Sequence, residues 1–599
     1  MPVIKVIPEG IEFAYNDDSS LLELLLRQKI FIENPCNGHG TCGKCKVRHI
    51  SGKLPPLSGE EKIFLSLAEQ NNNIRLACCI FPCENITLEL VQNKKSNKIL
   101  ADGFMPEYVF DPAVYKRQCT IAQPGLTNQK PYAELFADFG EHLKTKKPVN
   151  LKMLQHLPVT EKVCTALYQN EELLFIEPGD TTDALYGLAI DIGTTTVVVS
   201  LVDLLTGKIM GNATGINAQN SYGSDVLTRI AYVLENLETG VKELQKIIID
   251  NINGLIQNLC KKNNIESRFI YDIAVAANPT MMHLLLGVNP APIGTSPYIP
   301  IFSTSLDLSA KETGLLCADA CRLYCLPGVS AYIGSDVVAG AYVSGLAEEK
   351  SNVLFIDIGT NGEIILAHNG ELVSCSCAAG PAFEGMNISA GTRAVSGAIE
   401  DVIFEQNSFK ITTIDNEEAN GICGSGIMAA VRELLAVGFL KSNGSLYKDK
   451  DFSENDCRRD FLWTEGRGKG VYLYKGETTI SITQNDIRQV QLAKAAILSG
   501  FCALLEIAGL SMSDLDKVIV AGQFGSHLPA GSLVGTGLVP AELSEKIEYI
   551  GNSAHSGAYL ALVSRQSRNE MEKLAPRINY KELSVLPDYE RLFRKCMEF

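Results

Sequence analysis

Three cysteines near the start of the chain are spaced so that one loop can bring their thiolates together. They form the pattern Cys36-x5-Cys42-x2-Cys45, with glycines at positions 38, 40 and 43. Glycine lets the backbone fold tightly and aims amides at sulfur. A fourth cysteine, Cys78, follows in the sequence Arg-Leu-Ala-Cys. Thiolates gathered in this way are typical ligands of an iron–sulfur cluster, and the pattern predicts a redox centre in this loop.

Several assignments within this cysteine group stay open from the residues alone. Three close cysteines and a distant one would also serve zinc, although paired C-x2-C hooks are the usual zinc arrangement. Cys79 and Cys83 are alternatives to Cys78 as the fourth ligand. His39 lies inside the loop, either as a ligand or as a solvated histidine. Eighteen cysteines without a secretory signal favour reduced thiols over a disulfide framework.

The pentapeptide Ile-Asp-Ile-Gly-Thr occurs twice, at residues 190–194 and 356–360. In each copy a buried apolar strand, over 188–192 or 354–358, brings an Asp to a glycine turn, and a second strand then leaves. A bare glycine backbone can approach an anion closely. Two copies of this hairpin predict two related lobes that close on one nucleotide.

This double Asp-x-Gly-Thr arrangement resembles the superfamily of acetate and sugar kinases, heat-shock chaperones and actin. The resemblance implies an ATP site in which hydroxyls and amides bind phosphate oxygens and Asp191 holds Mg²⁺ through water. It also implies that Asp336, in a glycine-bearing connecting helix, orients the attacking water or the metal, the alternative being a cap of a helix over 337–346. The residues that it points to are Asp191, Gly193, Thr194 and Thr195 in the first hairpin and Asp357, Gly359, Thr360 and Asn361 in the second.

Glycines further along the chain extend this expected cleft. Gly522 and Gly525 follow an apolar strand and resemble the adenosine-binding turn of the superfamily, although Gln523 replaces its usual second glycine. Gly424 and Gly426 precede a helical run over 427–436, where they either add amides at a helix N-terminus or form an ordinary turn. Residues 551–557 resemble the start of a second connecting helix, in which we expect His555 to be structural.

Composition excludes several classes of protein. With 599 residues, 46% hydrophobic and 20% charged, the chain is long enough for several domains. We find no apolar run near the ~18 residues that a membrane span needs and no signal peptide, which predicts a cytoplasmic protein without a membrane partner. A net charge of -16 argues against nucleic acid as a partner.

The order of predicted elements divides the chain into four parts. Residues 1–91 alternate strands with one helix over 20–28, which predicts an α+β domain, and the polar residues 92–105 are typical of a linker. Residues 106–185 form a small connecting domain with a helix over 132–143. From 186 to 599, strands alternate with long helices, an α/β pattern. The predicted long helices span 223–237, 241–261 and 489–508.

A further cysteine series, Cys317-x3-Cys321-x3-Cys325, would line one face of a helix. It could hold a second cluster, with Cys375 or Cys377 completing the set. Buried free thiols are the favoured interpretation, since no fourth ligand lies nearby in the sequence.

The N-terminal pattern resembles adrenodoxin-like 2Fe-2S ferredoxins, which implies Cys36, Cys42, Cys45 and Cys78 as the cluster ligands. The whole arrangement resembles the reductive activators of corrinoid proteins, and residues 378–385, 421–426 and 483–494 carry further local similarity. This implies an α/β multidomain protein with a β-grasp ferredoxin-like domain and a duplicated actin-like (ribonuclease H-like) ATPase domain. Such a protein would use ATP, Mg²⁺ and a 2Fe-2S cluster to return a Co(II) corrinoid protein to Co(I). It would take electrons from a low-potential donor such as a ferredoxin and form a homodimer through the ATPase domain.

The need for ATP follows from redox potentials. If a cluster near roughly -400 mV must reduce a cobalt couple about 0.2 V lower, the transfer is unfavourable by ~4.7 kcal/mol. Two other hypotheses remain: a small-molecule kinase with a redox-sensing domain, and an ATP-switched electron-transfer activator of another metalloenzyme, similar to dehydratase activators.

Overall fold

The computed structural model describes residues 2–132 and 155–599 apart from several short gaps. The gaps are 8–9, 17–18, 29, 31, 33, 35–37, 39, 41–42, 66, 92–102, 121–123, 128, 130, 467, 477 and 523–527. Cys36, His39, Cys42 and Gly525 therefore lie outside the described residues, as do most of the predicted linker and all but the first residue of the helix expected over 132–143.

The first domain is a five-stranded sheet covered by a short helix. The strands are β1 Val3–Ile7, β2 Ile11–Ala14, β3 Lys46–Ser51, β4 Ile74–Leu76 and β5 Ile86–Leu90, in the order β2-β1-β5-β3-β4. The helices are α1 Leu21–Arg27, α2 Gly59–Phe64 and α3 Leu67–Asn71. A parallel β1–β5 pair lies between two antiparallel pairs, which is the β-grasp arrangement. Ser20 caps α1, and four of the five leucines of this helix are buried in the domain core.

A small antiparallel sheet connects this domain to the remainder of the chain. Its strands are β6 Val114–Thr120, β7 Val163–Gln169 and β8 Glu172–Pro178. The ammonium group of Lys116 is buried against the next domain, where it donates to Glu177 and to the Tyr271 hydroxyl, each at 2.8 Å. Lys116 and Glu177 both belong to the small sheet, and their hydrogen bonds with Tyr271 of β12 join that sheet to the first lobe of the α/β domain.

The first lobe is a six-stranded sheet flanked by helices. Its strands are β9 Tyr186–Ile192, β10 Thr196–Asp203, β11 Ile209–Ile216, β12 Ile270–Ala277, β13 Leu306–Ser309 and β14 Arg322–Cys325. Its helices are α4 Val226–Glu235, α5 Gly240–Asn263, α6 Pro279–Leu286, α7 Ala291–Gly294, α8 Ala310–Thr313 and α9 Ser335–Val343. Every residue of β12 is buried, as expected for a parallel strand covered on both faces.

The second lobe contains a matching six-stranded sheet and two small three-stranded inserts, one mixed and one antiparallel. Its main strands are β15 Val353–Ile358, β16 Gly362–His368, β17 Glu371–Cys377, β24 Lys517–Ala521, β25 Ile547–Gly551 and β26 Ile578–Tyr580. The inserts contain β18 Ala398–Glu405, β19 Ser408–Thr413, β20 Gly421–Ile422, β21 Leu462–Glu465, β22 Gly468–Lys475 and β23 Thr479–Thr483. The helices are α10 Gly424–Val437, α11 Gln484–Ala508, α12 Ala530–Gly535, α13 Ser553–Val563, α14 Arg565–Leu574 and α15 Tyr589–Lys595.

The two main sheets repeat one topology. The first contains β11-β10-β9-β12-β14 and the second β17-β16-β15-β24-β25, each with three antiparallel strands followed by two parallel ones. A connecting helix follows each sheet, α9 after β14 and α13 after β25. The duplication predicted from the repeated pentapeptide is therefore present in the fold.

The two connecting helices pack closely because glycine lies at their contact. A Cβ atom on Gly557 of α13 would lie 2.4 Å from the Cβ of Ala339 on α9. A Cβ on Gly340 would lie 2.5 Å from the ring of Phe355 in β15. Neither position has room for a side chain, so this contact sets the distance between the lobes.

Two sequence expectations are corrected by the fold. Cys325 ends strand β14 and Cys321 precedes it, so the series from Cys317 does not lie on a helix. All three thiols are buried, and among the described residues no group of three or more His, Cys, Asp or Glu side chains is arranged to hold a metal. Contrary to our expectation, α11 is long and apolar enough to cross a membrane. However, 72% of its most apolar 18-residue stretch is buried inside the protein, as in a core helix.

Candidate nucleotide cleft and cluster site

The first hairpin turn joins β9 to β10 and is closed by the Gly193 amide, which donates to the Thr196 carbonyl at 2.9 Å. Asp191 lies at the end of β9 and accepts a hydrogen bond from the Asn552 amide group at 2.9 Å. Asn552 caps α13, the second connecting helix. The hairpin carboxylate is therefore fixed by the other half of the chain.

Polar side chains from three other elements hold this turn from behind. The fully buried guanidinium of Arg229, on α4, donates to the Thr194 carbonyl at 2.5 Å. Asn217 donates to the Gly193 carbonyl at 2.9 Å, and Asn278 donates to the Thr194 hydroxyl at 3.1 Å. Burial lowers the pKa of Arg229 to about 9, so the side chain still carries its charge at neutral pH. A buried positive charge behind the turn favours an anion in front of it.

The second hairpin turn joins β15 to β16 and meets the first across the cleft. The Gly359 amide donates to the Asn361 carbonyl at 3.0 Å. The Thr360 hydroxyl lies 3.4 Å from the hydroxyl of Thr195. Thr360 also donates to the Glu384 carboxylate at 2.5 Å. The structure therefore brings the two predicted phosphate turns together, with one threonine from each facing the other.

Four carboxylates on the two hairpins and the first connecting helix interact electrostatically. Burial, and secondarily the charge of Asp336, raises the pKa of Asp191 to about 7, against the hydrogen bond from Asn552. Burial followed by the charges of Asp336 and Asp191 raises the pKa of Asp357 to about 7. Burial also raises the pKa of Asp336 to about 6. Glu363, on β16, has its pKa raised well above the ordinary value by burial and by the charges of Asp336 and Asp357.

These carboxylates repel one another in a cleft of low polarity, so ionising them together is unfavourable without a cation. Their oxygen atoms are the donors that Mg²⁺ prefers, and Mg²⁺ keeps several of its own waters. Among the described residues these carboxylates do not form a group arranged to hold a metal ion directly, so a bound Mg²⁺ would meet them through its own waters. Asp336 lies in the first turn of α9, whose N-cap is Gly334, and its side chain accepts from the Val337 amide at 2.9 Å.

Of the predicted glycines that the structure describes, Gly522 lies beside a cleft carboxylate. Gly522 follows β24 with φ +92°, and a Cβ there would lie 2.4 Å from a carboxylate oxygen of Asp357. Gly424 begins α10. A Cβ on Gly426 would lie 2.1 Å from the Ile399 carbonyl, so this glycine permits close packing on β18.

His555 is buried on α13, and its Nε2 lies 2.7 Å from the hydroxyl of Ser200 on β10. This contact joins a connecting helix to the first lobe, which is the structural role that the sequence suggested.

The β-grasp domain brings two of the predicted cluster cysteines together. The sulfurs of Cys45 and Cys78 lie 3.3 Å apart, and both residues are buried. This separation exceeds the S–S bond of about 2.05 Å in a disulfide and approaches the ~3.8 Å between two sulfurs bound at about 2.3 Å to one tetrahedral metal. Gly43, two residues before Cys45, has φ +66°. The described part of the site fits a thiolate-bound metal centre.

The rival cysteines are placed less favourably. Cys79 is half-buried, with its sulfur 3.7 Å from that of Cys78, and Cys83 is exposed. Cys78 is the residue that approaches Cys45 directly, so the geometry favours it as the fourth ligand.

Comparison with known proteins assigns these parts. Three family models match the chain: a 2Fe-2S iron-sulfur cluster binding domain over residues 4–83, the RACo middle region over 186–349, and the C-terminal domain of RACo, the ASKHA domain, over 351–599. The solved structure of a reductive activator for a corrinoid, iron–sulfur protein is 32% identical and superposes with a TM-score of 0.73, covering 100% of this chain and 98% of that one.

The chain belongs to the family of reductive activators of corrinoid proteins. The corrinoid activation enzyme RamQ of Eubacterium limosum is 28% identical over 570 residues, with 92% of each chain covered. A reductase of a Co(II) methylated amine-specific corrinoid protein from Methanosarcina barkeri is 22% identical over 432 residues, covering 67% of this chain and 74% of that protein. Family membership confirms the predicted fold class and places a 2Fe-2S domain and an ATPase domain in one activator.

The structure also shows residues of this activator's cleft that the sequence did not single out. Arg229, Asn217 and Glu384 support the hairpins through contacts that no local pattern announces. For Asn278 a signal existed, because Asn-Pro after a buried strand is typical of a helix N-cap. The methionines and leucines that follow it favour a core interpretation of the whole stretch, which hides this signal.

Proposed function

We propose that this chain uses ATP hydrolysis to drive single electrons onto a Co(II) corrinoid protein, returning the cobalt to Co(I). One observation carries the proposal: a β-grasp domain with two sulfurs 3.3 Å apart and a two-lobed cleft with hydroxyls 3.4 Å apart occur in one polypeptide. The β-grasp domain suits electron transfer, and the two-lobed cleft suits the binding of a triphosphate. Their combination accounts for an electron transfer that needs an energy input.

For the cluster we propose Cys36, Cys42, Cys45 and Cys78 as the ligands. When bound, the 2Fe-2S cluster supplies a one-electron carrier. The chain itself buries the two described thiols and supplies amides of a glycine-rich loop, and neighbouring amides lower the cost of extra negative charge on sulfur.

For the nucleotide we propose that the two hairpins grip the phosphates and that Asp191 and Asp357 hold Mg²⁺ through water. Gly193, Thr194 and Thr195 would contact one side of the triphosphate, and the turn over residues 359–361 the other. The charge of Asp336 raises the pKa of both hairpin carboxylates, Asp191 and Asp357. This closeness to both hairpins supports a role for Asp336 in orienting the attacking water. The part of ATP beyond the phosphates is proposed to lie beside four glycines, Gly424, Gly426, Gly522 and Gly525.

The partners follow from the family. We propose that the chain acts in the cytoplasm, with a Co(II) corrinoid protein as the electron acceptor and a low-potential donor such as a ferredoxin, and that it forms a homodimer through the ATPase domain. Light scattering of the purified protein tests the dimer.

An anaerobic titration tests the function. Reduced, cluster-loaded protein is mixed with a corrinoid protein in its Co(II) form, with or without ATP and Mg²⁺, and Co(I) is followed by its visible spectrum. We expect substantially more Co(I) with ATP. Equal yields in both samples would refute energetic coupling, and phosphate transfer to a metabolite would instead support a kinase.

A further inference from the structure

The cluster-binding loop touches the ATPase domain through a lysine. Lys44 precedes Cys45, and its ammonium group donates to the carbonyl oxygens of Ile388 at 3.2 Å and Gly391 at 3.0 Å in the second lobe. Beside this contact, a cavity of about 2320 Å³ separates the β-grasp domain from both lobes. Lys44 therefore makes a charge-assisted contact across an interface that is open alongside it.

The segment that Lys44 contacts also reaches the second nucleotide hairpin. We name residues 381–391 the coupling segment; it starts with the short 3-10 helix Pro381–Glu384. The Glu384 carboxylate accepts a hydrogen bond from the Thr360 hydroxyl at 2.5 Å, and the Thr195 hydroxyl lies 3.4 Å from that of Thr360. Only 8% of Glu384 is exposed. A buried carboxylate thus engages one of the two facing hydroxyls proposed to bind phosphate.

The coupling segment is compact. A Cβ on Gly391 would lie 2.0 Å from the Gly385 carbonyl oxygen, so the backbone at these two glycines is in close contact. The amide and the hydroxyl of Ser389 both donate to one oxygen of Asp486, at 2.8 and 3.0 Å. Because tightly packed units move together, a displacement at the start of the segment reaches the carbonyl oxygens that Lys44 binds.

We propose that the coupling segment transmits nucleotide binding to the cluster domain: a triphosphate takes the Thr360 hydroxyl from Glu384, the segment shifts, and Lys44 loses its carbonyl partners. Phosphate charge facing a buried carboxylate favours the same displacement. The β-grasp domain is then released from the second lobe and can approach the acceptor. The purpose of this release rests on the proposed function, whereas the release itself depends on nucleotide binding alone.

Thermodynamic linkage makes the proposal reciprocal. If nucleotide weakens the docking of the β-grasp domain, then weakening the docking must tighten nucleotide binding by the same factor. A variant far from the cleft should therefore bind ATP better, which a merely structural lysine would not cause.

Lys44→Met tests the docking contact, and Lys46→Met is its matched control. Lys46 lines the same cavity but forms an ion pair with Glu69 at 2.6 Å inside its own domain. Amide hydrogen exchange of residues 43–46 and 386–391 is measured on cluster-loaded protein with and without a non-hydrolysable ATP analogue, and calorimetry gives the analogue's affinity. We expect the analogue to speed exchange in wild type. Lys44→Met should exchange rapidly without nucleotide and bind the analogue about tenfold more tightly, while Lys46→Met behaves as wild type.

Glu384→Gln tests the other end of the segment. The neutral amide no longer repels the phosphate charge. We therefore expect the analogue to bind without changing the rate of amide exchange at residues 386–391. The proposal is overturned if the analogue binds wild type without changing exchange at either segment, or if the two lysine variants behave alike. These readouts need no corrinoid protein, so a failure of cobalt reduction would count against the proposed function only.

Discussion

The hydroxyl oxygens of Thr195 and Thr360 lie 3.4 Å apart across the cleft, although 165 positions separate the two residues in the chain. Each follows an Asp-x-Gly turn of its own lobe. Two hydroxyls at this separation can both donate to one phosphate oxygen at about 2.7–2.8 Å. The pair therefore marks the place where a triphosphate would join the lobes.

Thr360→Val should weaken ATP binding about tenfold, because the isosteric side chain keeps the packing but cannot donate to phosphate. Thr206→Val, at an exposed turn of the first lobe, is the matched control and should bind ATP as wild type does. Isothermal calorimetry with an ATP analogue measures both. Unchanged affinity in Thr360→Val would remove this residue from the phosphate site.

The cleft carboxylates predict how stability depends on pH. Burial raises the pKa of Asp191 and of Asp357 to about 7, while an unfolded Asp has a pKa of about 3.9. Between about pH 4 and 7 the folded protein therefore holds protons that the unfolded chain has lost. The nucleotide-free protein should lose stability as pH rises through this window, and Mg²⁺ with nucleotide should restore it.

Asp357→Asn tests this charge effect directly. The amide is neutral at every pH, so we expect a higher unfolding temperature than wild type at pH 8, a weaker pH dependence, and loss of ATP hydrolysis. Asp319→Asn, an exposed carboxylate paired with Lys311, is the control. A wild-type unfolding temperature that rises from pH 5 to 8 while that of Asp357→Asn stays unchanged would show that ionisation of the buried carboxylates does not destabilise the cleft.

Cys78→Ser should abolish the visible absorption of the cluster, because this thiol is the one that faces Cys45 at 3.3 Å. Cys83→Ser removes an exposed thiol five positions later and should keep the full spectrum. Iron and acid-labile sulfide analysis of both proteins provides the measurement. Retention of a normal cluster in Cys78→Ser would transfer the ligand role to Cys79 or Cys83.

Gly557→Val should force the connecting helices apart, because even a Cβ at this position would lie 2.4 Å from that of Ala339. We expect destabilisation of about 1–3 kcal/mol together with a loss of ATPase activity, since overpacking shifts the backbone. Gly254→Ala, on an open face of α5, has nothing within 4 Å of the new Cβ and should be neutral or stabilising. Urea unfolding and ATPase assays compare the two, and normal ATPase activity in folded Gly557→Val would show that this contact does not set the cleft.

The sequence predicted those parts of the fold that depend on local patterns. Strands β9 and β15 follow from apolar runs that end in Asp-x-Gly, and α1 lies within the helical stretch predicted over residues 20–28. The helix expected over Cys317 to Cys325 is wrong, because a cysteine spacing of four says nothing about the strand pairing of β14 with β12.

Contacts between distant segments lay beyond such patterns. Arg229 reaches a hairpin 35 positions away, and Glu384 reaches Thr360 from 24 positions away. Glu384 lies within residues 378–385, which carry local similarity to the family, but the residues flanking either side chain do not reveal its partner. Their roles follow only from the packing of the lobes.

The yield of Co(I) from reduced, cluster-loaded protein and a Co(II) corrinoid protein, measured anaerobically with ATP, with a non-hydrolysable analogue and without nucleotide, tests the central claim most directly. We predict a high yield that requires hydrolysable ATP, and a low, nucleotide-independent yield for Asp357→Asn with an intact cluster spectrum. Equal Co(I) yields under all three conditions, or full activity of Asp357→Asn, would contradict the claim that the cleft drives electrons onto cobalt.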